Sequence, residues 1–422
     1  MHKELRALFT ALPGNRIGRN NAISVFLMGA LPAVGGSIIS AMLYVFFIWG
    51  VISLVLRRFE FRMTRSDRML AWTFTSFVGF EVVTALFGGN LPNAPTALVW
   101  LFAFLAPWIL IPRLRASSEL DYLGLFVLGA AVGAVAAGLV AFVQLIATDI
   151  RPKAGAGNAA VFAIMSLCLM GLGGLNITAS ARWRRLLAMA AVVFGGLAVV
   201  LSQTRGVLAV CVPLLGLLWL FSPDAWRKAL ARFTTLVILA AAGIAAYFAH
   251  HALDGRWEYT LSELRHIFNG GTSTSIGERL RLWNAAVKAI QESPILGYGI
   301  QNRMDALVPT LKLDGLPILQ YTHAHNGFLS FALDGGVFVL VAVIAVLCVP
   351  VVLARRASQD AHYRLRLFMA LTVTGTYALC GLTQIMFKHD IMDSFFVFFS
   401  ILVAASIPEQ ESTPAVVTSS SS

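Results

Sequence analysis

Long apolar runs, broken only by short charged segments, constrain this chain more than any other feature. A helix needs about 20 largely apolar residues to cross a bilayer, and roughly a dozen stretches of the chain reach or approach that length. The runs are continuously apolar, so they do not read as transmembrane β-strands, which alternate polar with apolar residues. Composition agrees: 58% of the 422 residues are hydrophobic and 13% charged, whereas soluble domains carry about 25% charged residues. A soluble enzyme is thereby excluded. The expected fold is an all-α polytopic membrane protein of about 12 transmembrane helices with a partly helical outside loop.

The formal charge of +11 does not point to nucleic acid here, because basic residues in a membrane protein mark cytoplasmic loops. The start, with Lys3, Arg6, Arg16 and Arg19, and the segment "RRFEFRMTRSDR" both belong inside on that rule. The run 22–56 between them must therefore turn back on itself. Pro32, Gly35 and Gly36 supply the turn. Further spans are expected at 69–88, 97–111, 122–147, 159–177, 186–201, 207–221, 234–249, 337–353, 368–382 and 392–407. Between 254 and 314 lie seven basic and seven acidic residues, a neutral balance that places this loop outside and both termini inside. The resulting organisation is helices over 1–249, a large outside loop over 250–321, an edge helix and three spans over 322–407, and a tail over 408–422 expected to be disordered. The first apolar run is too long for a signal-peptide core, so the N-terminus is expected to be retained. Cys168, Cys211, Cys348 and Cys380 all sit in apolar runs and read as small buried hydrophobes.

Chemistry-bearing residues gather in the outside segments. Arg205, in "SQTRG", lies between two apolar runs. Either it faces a cavity or partner, or it snorkels to headgroups. The segment 278–292 reads as an amphipathic helix with Leu282, Ala286, Ala289 and Ile290 on one face. Arg279 and Arg281 fall in its first turn, where cations oppose the helix dipole but would meet an anion well. The stretch "YTHAHNGFLS" holds His323, His325 and Asn326. His325 could act as a general base near neutral pH, or serve as an interfacial or capping histidine; Asn326 could orient it or cap the following helix. A metal site at His323 and His325 is disfavoured, because no carboxylate-rich partner lies nearby. Lys388, His389 and Asp390 form a last polar cluster, which could simply be a turn between spans. The chain has no GxxxxGK[ST] nucleotide loop and no Asp-x-Asp pair of the kind that holds a metal on a nucleotide sugar. An outward-facing enzyme would need an activated substrate, and neither a metal nor another cofactor is expected.

These pieces together resemble the O-antigen ligase family, within the group that also holds O-antigen polymerases. The matching residues are "SQTRG", then Arg279, Trp283, Pro294, Gly297, Tyr298 and Gly299, then His325, Asn326 and Gly336. Val339 departs from the small or aromatic residue usual in the family three positions after that glycine. The resemblance implies a metal-independent, inverting transfer of a glycan from undecaprenyl pyrophosphate to a hydroxyl of the lipid A-core, on the periplasmic face of the bacterial inner membrane. It implies His325 as general base, Arg205, Arg279 and Arg281 on the pyrophosphate, and Asn326 and Asp390 as further substrate contacts. Implied partners are the lipid-linked donor, the lipid A-core acceptor and membrane lipids. The alternatives are an O-antigen polymerase and a lipid-linked sugar transporter.

Overall fold

The computed structural model describes residues 16–87, 99, 101–117, 119–148, 150–221, 275–313, 321 and 323–408. The expected span 234–249, residues 250–274 and 314–320 of the loop, and nearly all of the tail lie outside the described residues. Within them the secondary structure is helical, with no strand.

The first apolar run folds as the hairpin the charges demand. Helices α1 (Arg16–Ala30) and α2 (Ile38–Val55) flank a turn at 31–37, where Gly36 takes φ +59° against the carbonyl oxygen of Gly155. Then follow α3 (Arg65–Phe87), a 3-10 turn (Phe102–Leu105), α4 (Pro107–Arg115), α5 (Tyr122–Thr148), α6 (Ala159–Gly174), α7 (Arg182–Leu201) and α8 (Arg205–Phe221). After the undescribed stretch come α9 (Ser275–Glu292), α10 (Val308–Leu313), α11 (Gly327–Arg356), α12 (Tyr363–Gly381) and α13 (Asp390–Ala405).

Six helices among the described residues are long and apolar enough to cross a membrane, and Arg205–Leu220 is a shorter apolar one. The expectation of about twelve spans is therefore met only in part. The span expected at 97–111 is corrected: a 3-10 turn gives way to a nine-residue helix. Pro107 opens that helix at a position where the missing N–H costs nothing. Helix α13 has only 16 residues, but 14 consecutive ones from Ile391 to Ala404 are buried. A helix apolar and buried all round occupies the centre of a bundle.

Close backbone approach builds the bundle. A Cβ on Gly129 would stand 2.2 Å from the Phe26 carbonyl oxygen, and one on Gly29 would stand 2.5 Å from that of Phe126, so α1 and α5 touch through glycine. Around α13 the aromatic rings interlock, with Phe387–Phe396 centroids at 5.1 Å and Phe77–Phe331 at 5.8 Å. Exposed Ile48, Trp49, Val143, Ile146, Val341 and Ile344 give α2, α5 and α11 an apolar outer surface suited to lipid.

The two ends of the bundle differ in charge. One end collects Arg16, Arg19, Arg57, Arg58, Arg65, Arg182, Arg184, Arg185, Arg355 and Arg356 at helix termini. There Arg115 forks onto Asp67 at 2.7 and 2.9 Å and donates to the carbonyls of Ala404 and Ile407. Arg366 joins Asp360 to the Ser406 carbonyl. These guanidinium groups satisfy carbonyls left over at the C-terminal end of α13. The opposite end carries the turns at 31–37, 202–204 and 382–389 and the His-Asn element.

Candidate functional site

The family-type motifs meet by exchanging backbone hydrogen bonds. Helix α11 is kinked at Gly335 (φ −149°, ψ 29°) and Gly336 (φ 59°, ψ −149°). The kink breaks the i→i−4 ladder, in which the Val337 N–H would bond the Leu333 carbonyl. Instead Val337 donates to the Pro294 carbonyl at 2.9 Å, while the amides of Tyr298 and Gly299 donate to the carbonyls of Leu333 and Asp334, each at 2.8 Å. The exchange gives the Val337 N–H and the carbonyls of Leu333 and Asp334 partners outside their own helix. Both glycines at the crossing are required. A Cβ on Gly336 would lie 2.3 Å from the Ile295 carbonyl, and one on Gly297 would lie 2.5 Å from that of Leu333. The Tyr298 hydroxyl then reaches back to the Ala289 carbonyl at 2.8 Å, closing the end of α9.

Helix α9 buries Leu282, Ala285, Ala286 and Ala289 against Leu307, Leu311, Ala324 and Leu333 in a core of its own. This is the amphipathic face expected from the sequence. The helix starts at Ser275, however, so Arg279 lies beyond the first turn, whose acidic residue is Glu278. The expectation that Arg279 and Arg281 oppose the dipole from the first turn is thereby corrected. They are also two positions apart, about 200° round the helix, and do not share a face.

Trp283 sets the register between this helix and the histidines, since its indole N–H donates to the Ala324 carbonyl at 3.0 Å. The Tyr321 hydroxyl donates to Glu278 at 2.8 Å, and its ring meets the edge of His325 at a centroid distance of 4.9 Å. The rings of His323 and His325 lie 4.5 Å apart. His325 adopts φ +51°, a left-handed conformation uncommon outside glycine and concentrated at functional sites. Asn326 then caps α11, its side-chain oxygen accepting from the Leu329 N–H at 3.1 Å. Of the two roles open to Asn326, the structure supports the cap.

Burial and then neighbouring charges lower the proton affinity of both imidazoles. Burial lowers the proton affinity of His325, Arg279 lowers it further, and Glu278 partly opposes. His323 is pushed down to about 3 by burial, then by His325, Arg303 and Arg279. The Nδ1 of His325 is buried and makes no hydrogen bond among the described residues. A neutral imidazole with an unused ring nitrogen beside a guanidinium can accept a proton from a substrate hydroxyl.

The remaining candidates lie at the same end of the bundle. Arg205 stands exposed at the start of α8, and a Cβ on its neighbour Gly206 would meet the Thr383 hydroxyl. Its turn is braced by Arg151, which donates to the Ser202 carbonyl and to the Thr204 hydroxyl. Asp390 accepts from the Ser40 hydroxyl at 3.2 Å and lies 3.2 Å from Nδ1 of His389, so these contacts tie it to α2 and its own turn.

Two carboxylates went unnoticed in the sequence reading. Glu81 in α3 and Asp334 in α11 are fully buried, and both contact the ammonium of Lys388. Arg303 joins Asp334 at 3.2 Å. The signal was present, because an acid inside an apolar run rarely lacks a function.

Residues 190–344 match the family model described as O-antigen ligase. Over that segment, less than half of the chain, the sequence is similar to the O-antigen ligase family. A comparison with curated proteins gave no match. The O-antigen ligase segment contains Arg205, Arg279, Arg281, Arg303, the histidine pair, Asn326 and Asp334, and it ends eight residues beyond the kink glycine Gly336. Glu81, Lys388 and Asp390, which complete this end of the bundle, lie outside the O-antigen ligase match.

Proposed function

We propose that this chain is an O-antigen ligase that transfers a glycan from undecaprenyl pyrophosphate to a hydroxyl of the lipid A-core oligosaccharide, with His325 as general base. The acceptor proton passes to His325 as the acceptor oxygen bonds to the anomeric carbon of the donor. The bond from that carbon to the pyrophosphate oxygen breaks, and its electron pair leaves with the polyprenyl pyrophosphate. Attack from the face opposite the leaving group inverts the anomeric centre. Arg205 and Arg279 stabilise the charge that grows on the leaving group, since a guanidinium fork matches two phosphate oxygens. Arg281 is a further donor contact from the same helix, and Asp390 a sugar contact at the turn before α13. The step uses neither metal nor nucleotide.

The observation that carries this reading is the bond from Trp283 to Ala324, which ties α9 and its Arg279 to the segment of His325, whose proton affinity burial and then Arg279 lower. The family match supports a transfer of this type. Arginines gathered at the far end of the bundle support a cytoplasmic location for that end, with the site facing the periplasm across the inner membrane. Within this reading residues 250–321 are the periplasmic loop.

The test is a reconstitution of the purified chain with undecaprenyl-pyrophosphate glycan and lipid A-core. Wild type should yield capped lipopolysaccharide, and His325→Ala, Arg205→Ala and Arg279→Ala should not. Capped product from all three variants would end the mechanism. Lengthened donor without capped acceptor would point to a polymerase, and lipid-linked sugar crossing the bilayer without transfer to a transporter.

A further inference from the structure

Four charged side chains alternate in sign from the interior of the bundle to the histidines. Glu81 pairs with Lys388 at 2.8 Å, Lys388 with Asp334, and Asp334 with Arg303 at 3.2 Å. Both carboxylates are fully buried, and the side chains of Lys388 and Arg303 are 5% and 12% exposed. Lys388 also lies 4.7 Å from the centre of the Phe331 ring, and its backbone N–H donates to Asp393 at 3.0 Å. At the far end of the chain of charges, Arg303 lies near enough to depress the proton affinity of His323. Its neighbour Met304 packs into the α9 core beside Tyr321 and Ala324.

Stability alone is a poor reason for this arrangement. Removing ions from water costs several kcal/mol each, and replacing a buried ion pair by well-packed apolar residues is often neutral or stabilising. The ladder does have one geometric consequence. Asp334 is one residue before the kink, its carbonyl is taken by Gly299, and its carboxylate is taken by Arg303. Asp334 therefore joins the kink of α11 to the loop that carries Arg303.

We propose that Glu81, Lys388, Asp334 and Arg303 form one charge-compensated ladder that ties the kink of α11 to the loop carrying Arg303, which makes Asp334 and Arg303 positioning residues for His325. This rests on the proposed role of His325 as base. His325, Arg303 from the loop after α9 and Arg279 from α9 act on His323, and Arg279 and Glu278 from α9 act on His325. Asp334 fastens that loop to the kink of α11, the helix whose cap is Asn326, next to His325.

The test uses the full chain in nanodiscs, with histidines labelled for NMR titration and glycan transfer measured against pH. Arg303→Gln should raise the titration midpoint of His323 and lower kcat. Arg303→Lys should largely restore both. Asp334→Asn should move the midpoint in the same direction and lower kcat by roughly 10- to 100-fold, with KM for the donor unchanged. The double variant Glu81→Gln with Lys388→Met, which leaves the Asp334 and Arg303 pair intact, should retain more activity than Asp334→Asn. Lower thermal stability with unmoved histidine midpoints and an unmoved kcat would overturn the proposal. If the double variant lost as much activity as Asp334→Asn, that would also overturn it. Absence of transfer by wild type would refute the reaction, while the histidine midpoints would still decide the ladder.

Discussion

The bundle and the unit built on α9 follow different rules. Dozens of apolar side chains form the bundle core, centred on a helix buried along nearly its whole length. The α9 unit has a core of eight buried residues and depends on a few directional bonds: three across the glycine crossing, one from Trp283 and one from Tyr298. Loss of one contact among many disturbs the bundle little, whereas each bond in the smaller unit sets where Arg279 and His325 stand. The proposed function therefore sits in the part with the fewest redundant contacts, fastened to the part with the most.

The sharpest break between the two is His325→Ala. It should remove transfer, a loss of at least 10²- to 10⁴-fold as expected for a general base, while the thermal midpoint of the bundle stays put. Gly336→Ala comes next. Its Cβ would collide with the backbone of Ile295 at a positive φ, a strain on the order of 1–3 kcal/mol. Hydrogen exchange should rise at residues 294–299, and activity should fall while α5 and α6 remain protected. Trp283→Phe keeps the ring but removes the N–H to Ala324. Losing a hydrogen bond worth about 0.5–1.5 kcal/mol should lower kcat several-fold, and an unchanged kcat would mean the register is set elsewhere.

The pH dependence sharpens the comparison further. His325 is held below the ordinary histidine value by burial and then by Arg279. Its neutral, proton-accepting form should persist into mildly acidic buffer, so the acidic limb of the rate profile should lie below pH 6.5. Arg279→Gln should move that limb upward as well as weaken donor binding. The smallest effect belongs to the lipid-facing surface. Val143→Leu, at an exposed position on α5, should change stability by less than about 0.5 kcal/mol and leave transfer untouched.

The hairpin of α1 and α2 was legible because positive loops at both ends of one long apolar run admit no other solution, and Pro32, Gly35 and Gly36 mark the turn. Helix α9 was legible from its apolar face. The break at Pro107 was not, since a short apolar run does not state its length of regular helix. Glu81 and Asp334 were passed over because the reading followed the outside loops, whereas these acids pair only with residues from distant parts of the chain. Asp390 was visible as a charge, but its bond to Ser40 crosses 350 positions.

By itself, the sequence determined the all-helical membrane architecture, because hydrocarbon permits few backbone solutions and long apolar runs declare themselves. It also determined which residue types were available for the chemistry. Tertiary structure alone decided that two glycines would let α11 surrender its own hydrogen bonds to the segment after α9. It also decided that Trp283 would tie α9, which carries Arg279, to the segment of His325, and that two acids inside the bundle would share Lys388, with Asp334 also reaching Arg303. Hydropathy is a local property of a segment, whereas hydrogen-bond exchange and charge pairing depend on which distant segments come within about 3 Å.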